Sequence, residues 1–405
     1  MPMNSNRQFR RRAASIFLLA SIFLNTRADA GLFWTEARLA HLRTESTNPA
    51  SPFAGALEQL RADAAEAAKA PVFTVTRKQK PGPSGDLHDY LGIGTYWWPD
   101  PSKPDGLPYL RRDGEVNPEG RGPESDEAQM RSLGEVAPTL ALSWSIFRDE
   151  CHARYAGKLL RAWLIDPATR MNPNLTYSQA IPGRSQGRGM GIIDGIHFLR
   201  LPDAILQLRG APGWSDEDDR RARQWFSDYL DWLLTSAHGA EARDAANNHG
   251  TWYDVQCVTY ARFLGKNDIA RRILNAVSTR RIDPQIEPDG RQPHELKRTR
   301  AWTYSVKNLD GLLLLAALSP PDGPDLWKHR GPNGQGIPTA LRYLVRFFDP
   351  QVPWPYPELN PKPRSNAHPL VWQAAALPGA SDLPPIPPST PEQRRLRAWL
   401  QYGKP

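Results

Sequence analysis

The chain has 405 residues, 40% of them apolar and 23% charged, with a formal net charge of +8. That is enough apolar material for one large core or two modest ones. It excludes a disulfide-stapled miniprotein, a disordered chain and a polytopic membrane protein.

Residues 1–30 read as an export signal. Arg7, Arg10, Arg11 and Arg12 precede an apolar run from Ala13 to Leu24, and Ala28-Asp29-Ala30 fits a small-residue cleavage site. The run is short for a bilayer span, so no stable membrane insertion is expected after cleavage. General secretion fits better than the twin-arginine route, because the residues after the Arg cluster depart from that pattern; an amphipathic first helix is the competing interpretation. The expected product is a periplasmic or secreted domain over residues 31–405. Residues 1–30 carry five Arg and one Asp, so the remainder keeps a charge of about +4. This is compatible with an anionic ligand but lacks the dense basic stripe of a nucleic-acid binder.

The 40 Pro residues would interrupt a sheet or coiled coil repeatedly, so they suit helices joined by long, stiff loops. In chain order, helical periodicity is present near 55–70, 127–148, 152–164 and 192–208, then more strongly over Ser215–Gly239. There Ser215 is a good N-cap before the acidic run Asp216–Asp219, and Gly239 is a plausible stop. Ala222, Trp225, Phe226, Tyr229, Leu230 and Leu233 form one stripe. Thr251–Leu264 and 302–318 repeat the pattern, with further candidates at 267–279, 338–348 and 391–401. Strand alternation is nearly absent, Val72–Thr76 being the best case. The segments 77–125, 165–191, 280–300 and 349–366 are long, Pro-rich and aromatic, and such loops are usually functional. These features predict an all-α fold, an incomplete (α/α) toroid or barrel whose loops form a substrate groove. Cys151 and Cys257 are the two cysteines; their spacing leaves a disulfide open, and no thiolate cluster points to structural zinc.

Four stretches carry candidate chemistry. The first runs from His88-Asp89-Tyr90 through Tyr96-Trp97-Trp98-Pro99-Asp100-Pro101 to Tyr109. It is either an aromatic ledge for sugar rings or a loop pinned by its own tryptophans. The second, Met171 to Gln179, offers neutral hydrogen-bonding groups, including Tyr177 and Gln179, and leads into Arg184 and Arg188. A hydroxylated acidic ligand or plain solvent would suit it. Asp194 and His197 follow, and a histidine there is more often a hydrogen-bonded core residue than a catalyst. The third is Asn247-Asn248-His249-Gly250 before the Thr251 helix. Asn248 would cap that helix, and the free N–H groups with a second Asn and a His would also hold a carboxylate. The fourth is His294 to Tyr304. Tyr304 lies roughly 130° round its helix from the Leu309/Leu312/Leu313/Ala316 stripe, so it is not an obvious core residue. Arg298 and Arg300 upstream would bind an anion and lower the phenol pKa; a surface tyrosine beside a basic turn is the alternative.

The combination resembles the alginate-lyase superfamily of polysaccharide lyases, most closely polysaccharide lyase family thirty-eight. The resemblance rests on His88–Tyr109, on Asn172–Gly183 leading into Gly187–Asp194, and on the His249/Tyr304 pair. It implies an exported (α/α) toroid that cleaves uronic-acid polymers such as alginate or glucuronan by β-elimination, with no cofactor or metal. By position, His249 and Tyr304 would be the catalytic pair, and Asn248 and Arg298 would neutralise the substrate carboxylate. Tyr96, Trp97 and Trp98 would line the cleft, with His88, Tyr90, Tyr177, Gln179, Arg184, Arg188, Asn247 and Arg300 as further substrate contacts. One departure is Gly250-Thr251-Trp252, where long-known alginate lyases have Ser-Tyr-Trp. A toroidal glycoside hydrolase would instead need two carboxylates across the cleft, drawn from Asp100, Asp194, Asp254 and Glu295. A non-catalytic binder of acidic polysaccharide would use the aromatics alone.

Overall fold

The computed structural model describes residues 31–380, 383–384 and 389–404; the expected export signal lies outside them. Helices α1 (Glu36–Glu45) and α2 (Ala54–Ala67) precede the first long loop. Next come α3 (Asp126–Phe147), α4 (Glu150–Leu164), α5 (Leu201–Gln207), α6 (Asp216–Thr235), α7 (Ala237–Arg243), α8 (Asn248–Phe263) and α9 (Asn267–Val277). Two short turns, α10 (Asp283–Gln285) and α11 (Pro293–Leu296), lead to α12 (Ala301–Leu318), α13 (Ile337–Val345), α14 (His368–Ala376) and α15 (Arg397–Tyr402). Helix α3 packs on α4, and α8 packs on both α9 and α12, giving an incomplete (α/α) toroid.

Local sequence explains the strongest elements. At the start of α6 the Ser215 side chain accepts from the Asp218 N–H while the Asp218 carboxylate accepts from Ser215, a reciprocal cap. The predicted stripe from Ala222 to Leu233 is buried. Gly239 does not stop this helix. Ser236 ends α6, and its hydroxyl accepts from the Gly239 N–H to open α7. A Cβ on Gly239 would fall 1.9 Å from the Leu233 carbonyl oxygen, so this glycine serves a close approach. The expected strand at Val72–Thr76 is also absent. Thr74 instead bonds Thr76 and the Thr169 carbonyl, turning the chain into a short 3-10 helix at Val75–Arg77.

The strands that do form are short. β1 (Leu91–Ile93) pairs in parallel with β4 (Tyr177–Ala180), and β2 (Trp97–Trp98) pairs antiparallel with β3 (Leu110–Arg111). The first ladder joins the 77–125 and 165–191 loops to each other. Most tryptophans build core: Trp34, Trp163, Trp214, Trp225, Trp252, Trp302, Trp327, Trp372 and Trp399 are all buried. Trp163, Phe198 and Trp225 meet edge to face, the geometry aromatic quadrupoles favour. Both cysteines are free thiols, Cys151 exposed and Cys257 buried. Among the described residues, no helix is long and apolar enough to cross a membrane.

Candidate active site

A cavity of about 660 Å³ opens where the loops meet the helix ends. The start of α8 brings Asn247, Asn248 and His249 to it, and α12 brings Tyr304 and Lys307. Glu127 and Arg131 come from α3, and Asp194 and His197 from the 3-10 helix Gly189–Phe198. Tyr96, Trp97, Arg111, Gln179, Arg188 and Arg298 complete the part of the wall that bears on chemistry.

The Tyr304 hydroxyl lies 2.5 Å from that of Tyr96, and the Arg298 guanidinium sits 4.0 Å from the centre of the Tyr304 ring. Asp113 holds Arg298 through two bonds of 2.7 and 3.1 Å. The expected lowering of the phenol pKa does not result. Burial and Tyr96 raise it above its ordinary value, and Arg298 pulls down without prevailing. Arg300 contributes nothing here: its main chain bridges Glu358, and it does not line the cavity.

Asn247, not Asn248, caps α8, its side chain accepting from the His249 N–H. Asn248 is turned to Glu295, to which its backbone N–H and Nδ2 donate at 2.7 and 2.8 Å. Its Oδ1 is buried without a partner. Burial, then the cations Lys307, Arg298 and Arg188, push the His249 imidazole down to about 3. The ring is therefore neutral at working pH, and its Nδ1 has no partner.

The aromatic stretch divides. Trp97 lines the cavity with Arg184 and Arg188 over its ring at 5.5 and 5.8 Å. Trp98 does not; its Nε1 donates to the Glu115 carbonyl and Arg112 covers it. Successive strand residues point to opposite faces, so adjacent tryptophans on β2 could not share one ledge. Tyr90 is fully buried and donates to Asp194 at 3.0 Å, which places it behind the wall. Gln179 donates to the other Asp194 oxygen at 2.8 Å, while its own oxygens accept from Arg188. His88 contacts the Arg170 carbonyl away from the cavity. Tyr177 lines a separate groove beside Leu91 and Ile93. Arg184 reaches the site only through Trp97.

Of the four carboxylates a hydrolase would draw on, only Asp194 lines the cavity. Asp100 bonds Ser102 at the surface, Asp254 pairs with Arg281, and Glu295 holds Asn248. Among the described residues, no three His, Cys, Asp or Glu side chains gather as a metal site. Glu127, Arg121, Arg131, Arg111 and Lys307 also line the cavity, beyond the residues expected from sequence. Lys307 had a signal, three residues beyond Tyr304 on one helix face; the others are brought in by tertiary structure alone.

The alginate lyase family model matches residues 74–354. Among solved structures, an alginate lyase from Bacteroides ovatus is similar with a TM-score of 0.82 and 34% identity, covering 90% of this chain and 97% of that one. Alginate lyase A1-III from Sphingomonas species A1 is similar at 0.58 with 16% identity, covering 93% and 96%. A variant of A1-III complexed with a tetrasaccharide gives the same values. At that identity the likeness to A1-III is one of fold. Among curated proteins, none matches the chain. The family match spans the cavity from Tyr96 to Lys307 and well over half the sequence, and the chain belongs to the alginate lyase family.

Proposed function

We propose that the protein is an exported polysaccharide lyase that cleaves 4-linked uronic-acid polymers by β-elimination, mannuronate-rich alginate first and glucuronan second. The observation that carries this is one cavity holding the Tyr304 hydroxyl, the neutral His249 imidazole and a surplus of cations. The reaction needs an acidified C5–H, a base to take that proton, and an acid to protonate the departing O4. Charge developing on the substrate carboxylate is stabilised by donors set in place before reaction.

On mannuronate or glucuronate, the C5 hydrogen and O4 lie on the same side of the ring. The minor phenolate form of Tyr304 then takes the C5 proton and returns it to O4 as the C4–O4 bond breaks and the C4=C5 bond forms. The stacked Arg298 favours charge on the phenol oxygen, against the pull of burial and Tyr96 toward the neutral phenol. On guluronate the two groups lie on opposite sides. Neutral His249 would then be the base and Tyr304 the acid, roles that match their resting protonation states.

The test is ultraviolet absorbance of the conjugated product during incubation with polymannuronate, polyguluronate and glucuronan, with a chelator present throughout. A rise with any polymer is the expected result. New reducing ends without absorbance would establish hydrolysis instead. Tyr304→Phe should lower turnover by about 10³-fold or more while oligosaccharide still binds. Retained turnover would remove Tyr304 from the mechanism.

A further inference from the structure

Nearly every cation in the cavity wall already has a partner in the fold. Arg111 and Arg298 converge on Asp113, and Arg121 and Arg131 on Glu127. Arg188 holds the main-chain and side-chain oxygens of Gln179. Asn248, a neutral donor expected to meet a substrate carboxylate, has its amide N–H on Glu295. Lys307 differs. It lines the cavity, and among the described residues its ammonium forms no ion pair or hydrogen bond. It leaves α12 one turn beyond Tyr304, on the same face.

We propose that Lys307 binds the carboxylate of the uronate held against Tyr304, and that this contact sets the preference for uronates over neutral sugars of the same linkage. The assignment rests on the proposed lyase function and goes beyond it by naming the specificity-determining cation. The residue is half-buried, and an ammonium that faces the cavity without a counter-ion is poised for an anion, because the ligand supplies what the fold leaves out. Its surroundings fit this role. Burial pushes Lys307 down to about 8, Arg121 and Arg298 push the same way, and Asp194 and Glu295 oppose them from a distance. His249 is neutral, so it does not compete for the anion's charge. A carboxylate bound beside Lys307 would lie within reach of both α8 and α12, the two helices that carry the candidate proton-transfer groups.

The experiment measures binding of trimannuronate and of β-1,4-mannotriose, which has the same ring and linkage but no carboxylate, by calorimetry. Lys307→Met and Lys307→Arg are each placed on Tyr304→Phe so that turnover does not consume the ligand. Lys307→Met should weaken trimannuronate binding by about a hundredfold, leave mannotriose binding unchanged and leave the melting temperature equal or higher. Lys307→Arg should restore most of the loss. A structural role for Lys307 predicts the opposite pattern, a lower melting temperature with both sugars affected alike. That pattern, or trimannuronate affinity within about threefold of the parent, overturns the assignment. The product assay on the unchanged chain separates the two claims. Lys307-dependent binding without elimination overturns the lyase function and leaves the cation assigned, whereas no trimannuronate binding to the parent overturns both.

Discussion

His249 shows how one side chain's surroundings override its intrinsic chemistry. A free imidazole changes charge near pH 6.5, but desolvation and three nearby cations push this one down to about 3. In the free enzyme it is neutral across the whole physiological range, and kcat/KM reports free-enzyme pKa values. A plot of log kcat/KM against pH for polymannuronate should therefore run straight or flat between about pH 5 and 7, without a bend near 6.5. A bend there that vanishes in His249→Gln would mean an exposed, ordinary histidine. Tyr304 follows the same logic with the opposite sign. Exclusion of water favours the neutral phenol more strongly than Arg298 favours the phenolate. Two upstream arginines suggested a lowered pKa from sequence, because charge can be read there and burial cannot.

The start of α8 is where sequence and structure meet most closely at the level of elements. Asn-Asn-His before an apolar stripe announces a helix N-terminus, and the helix is there. Which Asn caps it was not legible, since both are good caps and the deciding partner, Glu295, lies 47 residues away. The long loops show the same limit: their Pro-rich aromatic composition marked the cleft region. The placement of Trp98 and Tyr177 away from the cavity depends on strand pairing that strands of two to four residues hardly signal, and His88 sits in a turn against the Arg170 carbonyl. Gly250 has a physical reason at this level. A Cβ there would lie 2.2 Å from the Ala245 carbonyl oxygen and 2.5 Å from Nη1 of Arg281. Arg281 cannot retreat, being buried and bound to Asp254 and to the Ala245 and Arg243 carbonyls. Serine, which the family resemblance would put here, has no room in this chain. Gly250→Ser should cost about 2 kcal/mol in urea unfolding and lower kcat by shifting His249. Wild-type stability in that variant would show that the close approach relaxes freely.

On the scale of the whole molecule, the toroid is held by a large core and closed by a smaller one. The smaller cluster joins Trp34, Leu39, Leu42 and Phe53 near the N-terminus to Trp372, Trp399 and Leu400 near the C-terminus, against Leu142 and Ile146 of α3. Arg38 reinforces it, donating to the carbonyls of Leu400 and Gly403 at 2.6 and 2.9 Å. Apart from the two α3 residues, this cluster lies outside the span 74–354 that matches the family. Periodicity could not forecast it: α14 and α15 are short, α1 has no strong apolar stripe, and the contacts join residues more than 300 positions apart. The cluster therefore acts as a clasp on the toroid, separate from the cavity and its chemistry. Trp399 is its centre, buried and packed against both Phe53 and Trp372. Trp399→Ala removes those contacts and leaves a void, so unfolding free energy should fall by about 3–5 kcal/mol. The folded fraction should keep its kcat/KM, because no residue of the clasp lines the cavity. Denaturant titration and steady-state kinetics on one preparation decide the matter. Unchanged stability, or a kcat/KM that falls while the protein remains folded, would mean that the ends of the chain are wired to the site rather than clasped around it.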